Sequence, residues 1–409
     1  MQTRAYVQKL KPHEFDPWHG KRLLLGQLDI ELTERCNNNC LHCCINLPEN
    51  DEKARSREMD TAFFKDILAQ AAGLGCLTVR FTGGEPLLRG DFEDLYLFAR
   101  RSGLRVILFT NARLITPALA RLLARIPPGR LVEVTVYGMS AASYDAAAAS
   151  PGAFEEFRRG IALLREHSIP FIVKQAILPP NRHERAAFEA FAATIPWMDK
   201  SPSYAMNYDL RGRRDNPAKN RLIEKLRLSP EETTAVLAAN PRYVDGMREF
   251  CGKFMRPPGE EIFSCGAGHG ACLDAYGRAQ MCMGLRHPDA VFDLRRPTED
   301  GGGNSPLRYA LTEFFPRLRK IRATNPEYLR RCARCFLKGL CEQCPAKSWQ
   351  EHGTLDTPVE YLCAVAHAQA RFLGLLGEGE SAWEVEDARA RVASFAKRTN
   401  MNMEEKEHT

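Results

Sequence analysis

Apolar positions between residues 22 and 209 switch repeatedly between two periods. Six short runs read as strands: "LLLGQLDIEL" at 23–32, "CLTVRFTGGE" at 76–85, "RVILFTN" at 105–111, "LVEVTVYG" at 131–138, "FIVKQAIL" at 171–178 and "PSYAMNYDL" at 202–210. Helical spacing fills the gaps. Phe63, Phe64, Ile67, Leu68 and Ala71 share a face behind Asp60, placed as an N-cap. "DFEDLYLFARRSG" opens at Asp91 and stops at Gly103, and "TPALARLLARI" carries Pro117 in its first turn. Phe154, Phe157, Ile161 and Leu164 line another helix, and "ERAAFEAFAATI" supplies a fifth.

Strand–helix alternation of this kind demands parallel strands, because a parallel crossover needs a helix-length connection. Six units are too few for a closed eight-stranded barrel. The fold class predicted is α/β, a partial (β/α)6 TIM-like barrel, followed by a C-terminal cysteine-rich domain. Chemistry in such folds sits at the C-terminal ends of the strands. "ERCNNNCLHCC" follows the first strand, "TGGEP" the second and "TNAR" the third.

The pattern changes after residue 210. A polar, mostly helical bridge is expected over 211–250, the cysteine-rich unit over 251–376 and a tail over 377–409, with an N-terminal extension at 1–25 and the barrel at 26–210. A helix is expected over 359–376, the glycine-rich "TEDGGGNSP" is expected to be mobile, and "RTNMNMEEKEHT" to fray.

Composition narrows the class. The 409 residues are 44% hydrophobic and 26% charged, which suits a globular chain. No apolar run reaches the roughly eighteen residues that a membrane-spanning helix needs, and the N-terminus lacks the apolar stretch of a signal peptide. A cytoplasmic, reducing location is expected. The net charge of +6 is modest. "LRGRRDNPAKNRLIEKLRL" and "FPRLRKIR" gather cations that could meet nucleic acid, but interspersed acids and turn formers favour solvated helix faces instead.

Fourteen cysteines change the picture more. Four lie at 36–44, Cys76 is alone, and nine lie from Cys251 to Cys363. Clustered cysteines in a large reducing-compartment chain point to metal or redox chemistry. Cys36-x3-Cys40-x2-Cys43 offers three ligands in one loop, whereas zinc sites close a tetrahedron of four. A cubane held by three thiolates keeps one iron open. Cys44 is adjacent to Cys43 and is expected to pack against the first turn or barrel wall, and Cys76 in the core. Downstream, Cys332-x2-Cys335 and Cys341-x2-Cys344 by themselves read equally as a zinc ribbon.

The cysteine triplet, "TGGEP", "FTNA" and "VEVTVYG" together resemble the radical S-adenosylmethionine (SAM) superfamily over about residues 26–365. The resemblance implies a [4Fe–4S] cluster at Cys36, Cys40 and Cys43, with SAM chelated at the open iron. It implies SAM contacts at Thr82, Gly83, Gly84, Glu85, Asn111 and Thr135; Tyr137 replaces the family's usual Asp. His42 occupies a position often aromatic in the family, near the adenine, and a solvated side chain is the alternative. One-electron cleavage of SAM to a 5′-deoxyadenosyl radical, then hydrogen abstraction from a substrate, is the implied reaction. No general acid or base is assigned.

The C-terminal cysteines resemble the family's SPASM extension, which carries two auxiliary [4Fe–4S] clusters. That likeness implies Cys265, Cys272, Cys282 and Cys344 for one cluster and Cys332, Cys335, Cys341 and Cys363 for the other. Cys272 stands closer to Gly277 than in the family, so Cys251 or an open site is an alternative. Members act on peptides or protein side chains, or on small molecules such as haem precursors. Met283 stands where sulfatase maturases have Asp, which disfavours that activity. Roughly 25 residues before the first strand are too few for a peptide-recognition domain of about eighty. A peptide maturase is favoured, partnered by a flavodoxin- or ferredoxin-type electron donor; either a separate recognition protein presents a precursor peptide, or the bridge and tail recognise it, or the substrate is small. The rivals are a haem-precursor enzyme and a non-catalytic iron–sulfur or zinc protein that binds nucleic acid.

Overall fold

The computed structural model describes residues 25–265, 270–296 and 305–404. The N-terminal extension up to residue 24, most of "TEDGGGNSP" and residues 405–409 lie outside them. Among the described residues, no helix is long and apolar enough to cross a membrane.

Six strands follow the expected order: β1 (Gln27–Thr33), β2 (Thr78–Gly83), β3 (Arg105–Thr110), β4 (Gly129–Val136), β5 (Phe171–Ala176) and β6 (Ser203–Ala205). All pair in parallel with their sequence neighbours. The predicted caps form. Asp60 accepts from the Phe63 amide at 2.8 Å at the start of helix Thr61–Gly73, and Thr116 accepts from Leu119 at 3.2 Å ahead of Pro117–Arg125. The partial barrel expected from the alternation is therefore present.

Alternate strand positions divide the labour. Leu28, Ile30, Leu32, Val79, Phe81, Val106 and Leu108 are fully buried in one continuous apolar core with helix residues such as Phe64, Ile67 and Leu95. Each such side chain contributes about 1.5–3 kcal/mol. The intervening positions carry a polar ladder. Asp29 pairs with Arg80 at 2.8 Å, Arg80 and Lys174 lie over the Phe109 ring at 4.7 and 4.1 Å, and Lys174 pairs with Glu133 at 2.6 Å.

The sheet does not end at β1. A short strand, β7 (Ala271–Leu273), adds in parallel to β1, and β8 (Arg278–Gln280) and β9 (Val291–Asp293) continue antiparallel, giving nine strands ordered β9-β8-β7-β1-β2-β3-β4-β5-β6. The cysteine-rich region thus shares both sheet and core with the barrel, its Leu273, Met281, Leu285 and Phe315 joining the same cluster.

The bridge forms three helices, Pro217–Leu226, Pro230–Ala238 and Tyr243–Phe254. The expected 359–376 helix runs Glu360–Phe372. The C-terminus departs from expectation. A helix spans Ala388–Glu404 where fraying was predicted beyond 398. Its Phe395 packs with Leu375 and Cys251 in a satellite core, so burial anchors it.

Candidate functional site

The loop after β1 places Cys36, Cys40 and Cys43 on the wall of a cavity of about 750 Å³ at the C-terminal ends of the strands. Thr82, Gly83, Gly84, Asn111 and Thr135 border the same cavity. Glu85 does not. It is fully buried behind the wall, accepting from the Thr110 hydroxyl at 2.8 Å, the Leu87 amide at 3.1 Å and the Asn111 amide at 2.8 Å. Its carboxylate ties β2 to the end of β3, and burial pushes its pKa up to about 7.

The two glycines matter for the chain's own packing. A Cβ at Gly83, whose φ is +128°, would lie 2.1 Å from the Thr33 carbonyl oxygen, and one at Gly84 would lie 2.2 Å from that of Arg35. The nearest crowding is against the strand that launches the cysteine loop. A second constraint follows β3. Ala112 sits at φ +65°, a conformation uncommon for a residue with a Cβ, and its carbonyl would meet a Cβ on Gly160 at 1.9 Å.

Side chains missed in the sequence hold the loop. Arg113 donates to the Asn37 carbonyl, the Asn38 side chain and, at 3.0 Å, Ser150, while pairing with Glu156 at 2.6 Å. Asn111 Nδ2 donates to Asn37 at 2.7 Å. Lys219 donates to the Cys40 carbonyl at 2.6 Å, Arg213 to Glu34 at 2.9 Å, and Arg211 to the Asn46 carbonyl at 3.2 Å. The basic segment at 210–228 is therefore only partly the solvated face expected of it: Arg214, Arg221 and Lys225 are exposed, whereas Arg211, Arg213 and Lys219 brace the loop. These three turn inward, where desolvated loop carbonyls and Glu34 need donors.

The thiols are buried but adjacent to donors. Burial first, then repulsion from Cys40 and Glu85, drives Cys36 well up; burial pushes Cys40 up to about 12. The Asn38 amide donates to Cys36 Sγ at 3.4 Å, and the Tyr137 hydroxyl bonds the Cys40 sulfur and lowers its pKa somewhat. Such thiols ionise only with a cation in place. Among the described residues no three His, Cys, Asp or Glu side chains close on a point sized for one ion. Thiols spread around an open space suit a multi-iron group, whose corners hold thiolates farther apart than a single ion does.

His42 is not solvated. Its ring packs 4.7 Å from Tyr208 and 5.9 Å from Tyr137, its buried Nδ1 has no partner, and burial lowers its pKa to about 4. Cys44 also borders the cavity, near Asp209, Arg286 and Glu31 of β1. Cys76 is a core residue whose Sγ donates to Thr78 at 3.2 Å.

The C-terminal cysteines fall into two groups. Cys332, Cys335, Cys341 and Cys363 line one small pocket with Arg331 and His367. Burial, then mutual repulsion, pushes Cys332 up to about 12, and Arg331 stands 3.4 Å from Cys363 Sγ. Cys344 belongs elsewhere. Charges on Cys344 and Cys265 raise Cys282, a charge on Cys282 raises Cys272, and Cys272 Sγ lies 3.8 Å from Asp29. The Cys341–Cys344 pair is thus split between groups, which a zinc knuckle would not allow. Cys251 is fully buried in the satellite core, against which Cys335 and Cys341 of the first of these groups also pack.

Between the first cysteine loop and the Cys272–Cys282 hairpin lies a buried ionic network that local sequence patterns did not reveal. Arg286 pairs with Glu31 and stands 3.7 Å from Glu34 and 3.6 Å from Asp274, and Arg213 reaches Asp274 at 3.1 Å.

Comparison with known proteins supports the class of fold and site. Residues 30–192 match the Radical SAM superfamily, so this part of the chain is a radical SAM domain. The AdoMet-dependent heme synthase of Nitratidesulfovibrio vulgaris is 34% identical over 153 residues, covering 37% of this chain and 41% of that protein. The PqqA peptide cyclase of Xanthomonas euvesicatoria is 31% identical over 195 residues, covering 46% and 50%. The chain spans half or less of the length of these relatives. In three dimensions, anSMEcpe with bound AdoMet aligns over 90% of this chain and 98% of its own at TM-score 0.57 and 15% identity. Streptococcus suis SuiB bound to precursor peptide SuiA aligns over 83% and 76% at TM-score 0.58 and 15% identity. These likenesses establish a shared fold.

Proposed function

We propose that the chain is a radical SAM enzyme of the SPASM type that modifies a peptide or protein side chain. Cys36, Cys40 and Cys43 would hold a [4Fe–4S] cluster. Thr82, Gly83, Gly84, Asn111 and Thr135 would face SAM, with Glu85 acting behind them by fixing the Asn111 backbone. Cys265, Cys272, Cys282 and Cys344, and separately Cys332, Cys335, Cys341 and Cys363, would hold two auxiliary clusters in the unit at 251–376. When bound, the cluster and SAM supply one-electron cleavage of the sulfonium and hydrogen-atom abstraction. The chain's own task is to orient and to exclude water. The ring of His42, tilted 47° against both Tyr137 and Tyr208, completes an aromatic cluster beside the cysteine loop. Tyr137 holds the Cys40 sulfur.

One observation carries the substrate class. No Arg or Lys is among the described residues lining the 750 Å³ cavity, whereas Asp209 and Glu342 are. Lys347, behind them, pairs with Asp209 and stands 3.5 Å from Glu342, so this end of the wall keeps a negative balance. A haem precursor with several carboxylates would bury them unpaired, at a cost of several kcal/mol each. An uncharged or cationic side chain meets no such penalty. Tyr204, Met206, Leu237 and Tyr243 also border a second cavity of about 670 Å³, a length of path suited to an extended chain.

The test is anaerobic incubation of reconstituted protein with SAM, a strong reductant and either a short-peptide library or a tetracarboxylate porphyrin. A mass change in peptides is expected. Conversion of the porphyrin with every peptide unchanged contradicts the reading.

A further inference from the structure

A second charged concavity lies outside the cysteine-lined cavity. The loop at 56–58 and the β8–β9 hairpin enclose about 630 Å³, lined by Arg57, Arg278, Arg295 and Arg296. The two carboxylates there are engaged. Glu58 turns inward to Arg35 at 2.8 Å and Arg89 at 3.7 Å, and Asp293 faces Arg296 at 3.8 Å. Arg278 stands 3.2 Å from Asp274, which Arg213 and Arg286 share. Among the described residues, Arg57 and Arg295 have no carboxylate within ion-pair reach. They are held by stacking and by backbone carbonyls instead: Arg57 lies 4.7 Å over the Tyr276 ring and donates through Nε to the Lys53 carbonyl at 3.0 Å, and Arg295 lies 5.7 Å over Phe63 and donates through Nη2 to the Arg57 carbonyl at 3.4 Å. Stacking fixes a guanidinium while leaving N–H groups free for carboxylates.

The floor of this patch touches the machinery. The Tyr276 hydroxyl donates to Glu34 at 2.9 Å, two residues before Cys36, and Tyr276 itself lies on the hairpin between Cys272 and Cys282. A basic surface therefore backs onto two of the cysteine groups at once.

We propose that this arginine concavity docks a small acidic electron-transfer protein of the flavodoxin or ferredoxin type. The inference rests on the proposed function, since SAM cleavage consumes one electron that must come from outside. In the docked complex the donor is oxidised by one electron and an iron–sulfur group held by these cysteines is reduced by one; no bond is made or broken and no proton moves. Complementary charge chiefly speeds encounter and fixes orientation, and fades with salt. Nucleic acid or an acidic peptide would also answer to charge, but neither accounts for the connection through Tyr276 to the cysteine loop.

The experiment uses reconstituted full-length protein and a purified bacterial flavodoxin. Binding is measured at low and high salt, and reduction of the iron–sulfur absorbance is followed with reduced flavodoxin and, separately, with dithionite. Three proteins are compared: wild type, the triple variant Arg57→Glu, Arg295→Glu, Arg296→Glu, and a control with the same charge change on the exposed Arg101, Arg121 and Arg125. The patch variant is expected to weaken flavodoxin binding about tenfold or more and to flatten its salt dependence. Its flavodoxin-driven reduction should slow in proportion, with dithionite reduction unchanged. The control should match wild type. Equal flavodoxin binding by all three overturns the proposal, as does a patch that binds an oligonucleotide or an acidic peptide in preference to flavodoxin. Failure of dithionite to reduce wild type removes the functional reading itself, and the docking proposal with it. If the triple variant alone resists dithionite, its glutamine counterpart is compared in the same way, and unchanged flavodoxin binding there overturns the proposal.

Discussion

Gly84→Ala probes how the strand ends are assembled. The new Cβ would stand 2.2 Å from the Arg35 carbonyl oxygen and 2.6 Å from both the Arg35 carbonyl carbon and the Glu34 oxygen. Ordinary contact begins at 3.4 Å, so β2 must withdraw from the cysteine loop. Withdrawal weakens two backbone bonds, Gly84 N–H to Thr33 at 2.7 Å and Glu85 N–H to Arg35 at 2.9 Å. Overpacking costs about 1–3 kcal/mol and a weakened hydrogen bond about 1 kcal/mol, so a loss of roughly 2–4 kcal/mol is expected. Gly73→Ala is the control. That glycine ends helix Thr61–Gly73 with open space around its would-be Cβ, and a gain of about 0.4–1 kcal/mol is expected. Urea unfolding of the iron-free protein measures both, and iron uptake on reconstitution should fall only in Gly84→Ala. If Gly84→Ala proves as stable as Gly73→Ala, the close approach is not what positions the loop.

Other predictions follow from single contacts. Burial raises the Glu85 carboxyl to about 7, so the stability of its neutral form is complete below about pH 4.5 and is lost as pH rises through 7. Urea midpoints of iron-free Glu85→Gln against wild type should therefore shift toward the variant by up to about 3 kcal/mol between pH 5 and 8; a constant difference refutes this. Arg286→Met strands Glu31 in the interior, leaves Glu34 and Asp274 to Arg213 and Arg278, and should cost about 3–5 kcal/mol in thermal or urea unfolding. Cys44→Ala should keep iron at the first site and SAM cleavage, whereas Cys43→Ala should lose both, read by iron content and 5′-deoxyadenosine release.

Local signals carried the barrel. Strand alternation and the caps at Asp60 and Thr116 are written in neighbouring residues, and the structure realises them. The β7–β9 extension was not legible, because "ACL" and "RAQ" are too short to show a period and their pairing with β1 depends on residues more than two hundred positions away. The same holds for the side chains that brace the site. Arg113 and Lys219 meet the cysteine loop, and Arg286 meets Glu31, only once the chain is folded. A trace did exist. Asp29, Glu31, Arg80, Glu133 and Lys174 are charged residues at alternate strand positions, costly in a buried sheet unless they pair across strands. Tyr137 shows the limit of reasoning from likeness, since its hydroxyl turns to Cys40, a contact no pattern announced.

The central claim is that three cysteines on the loop after β1 equip this barrel to cleave SAM. Anaerobic reconstitution, reduction and addition of SAM, with 5′-deoxyadenosine measured by chromatography, addresses it directly. Wild type should form 5′-deoxyadenosine, and Cys36→Ala, Cys40→Ala and Cys43→Ala should each abolish it. No product from wild type, or undiminished product from all three variants, would contradict the account.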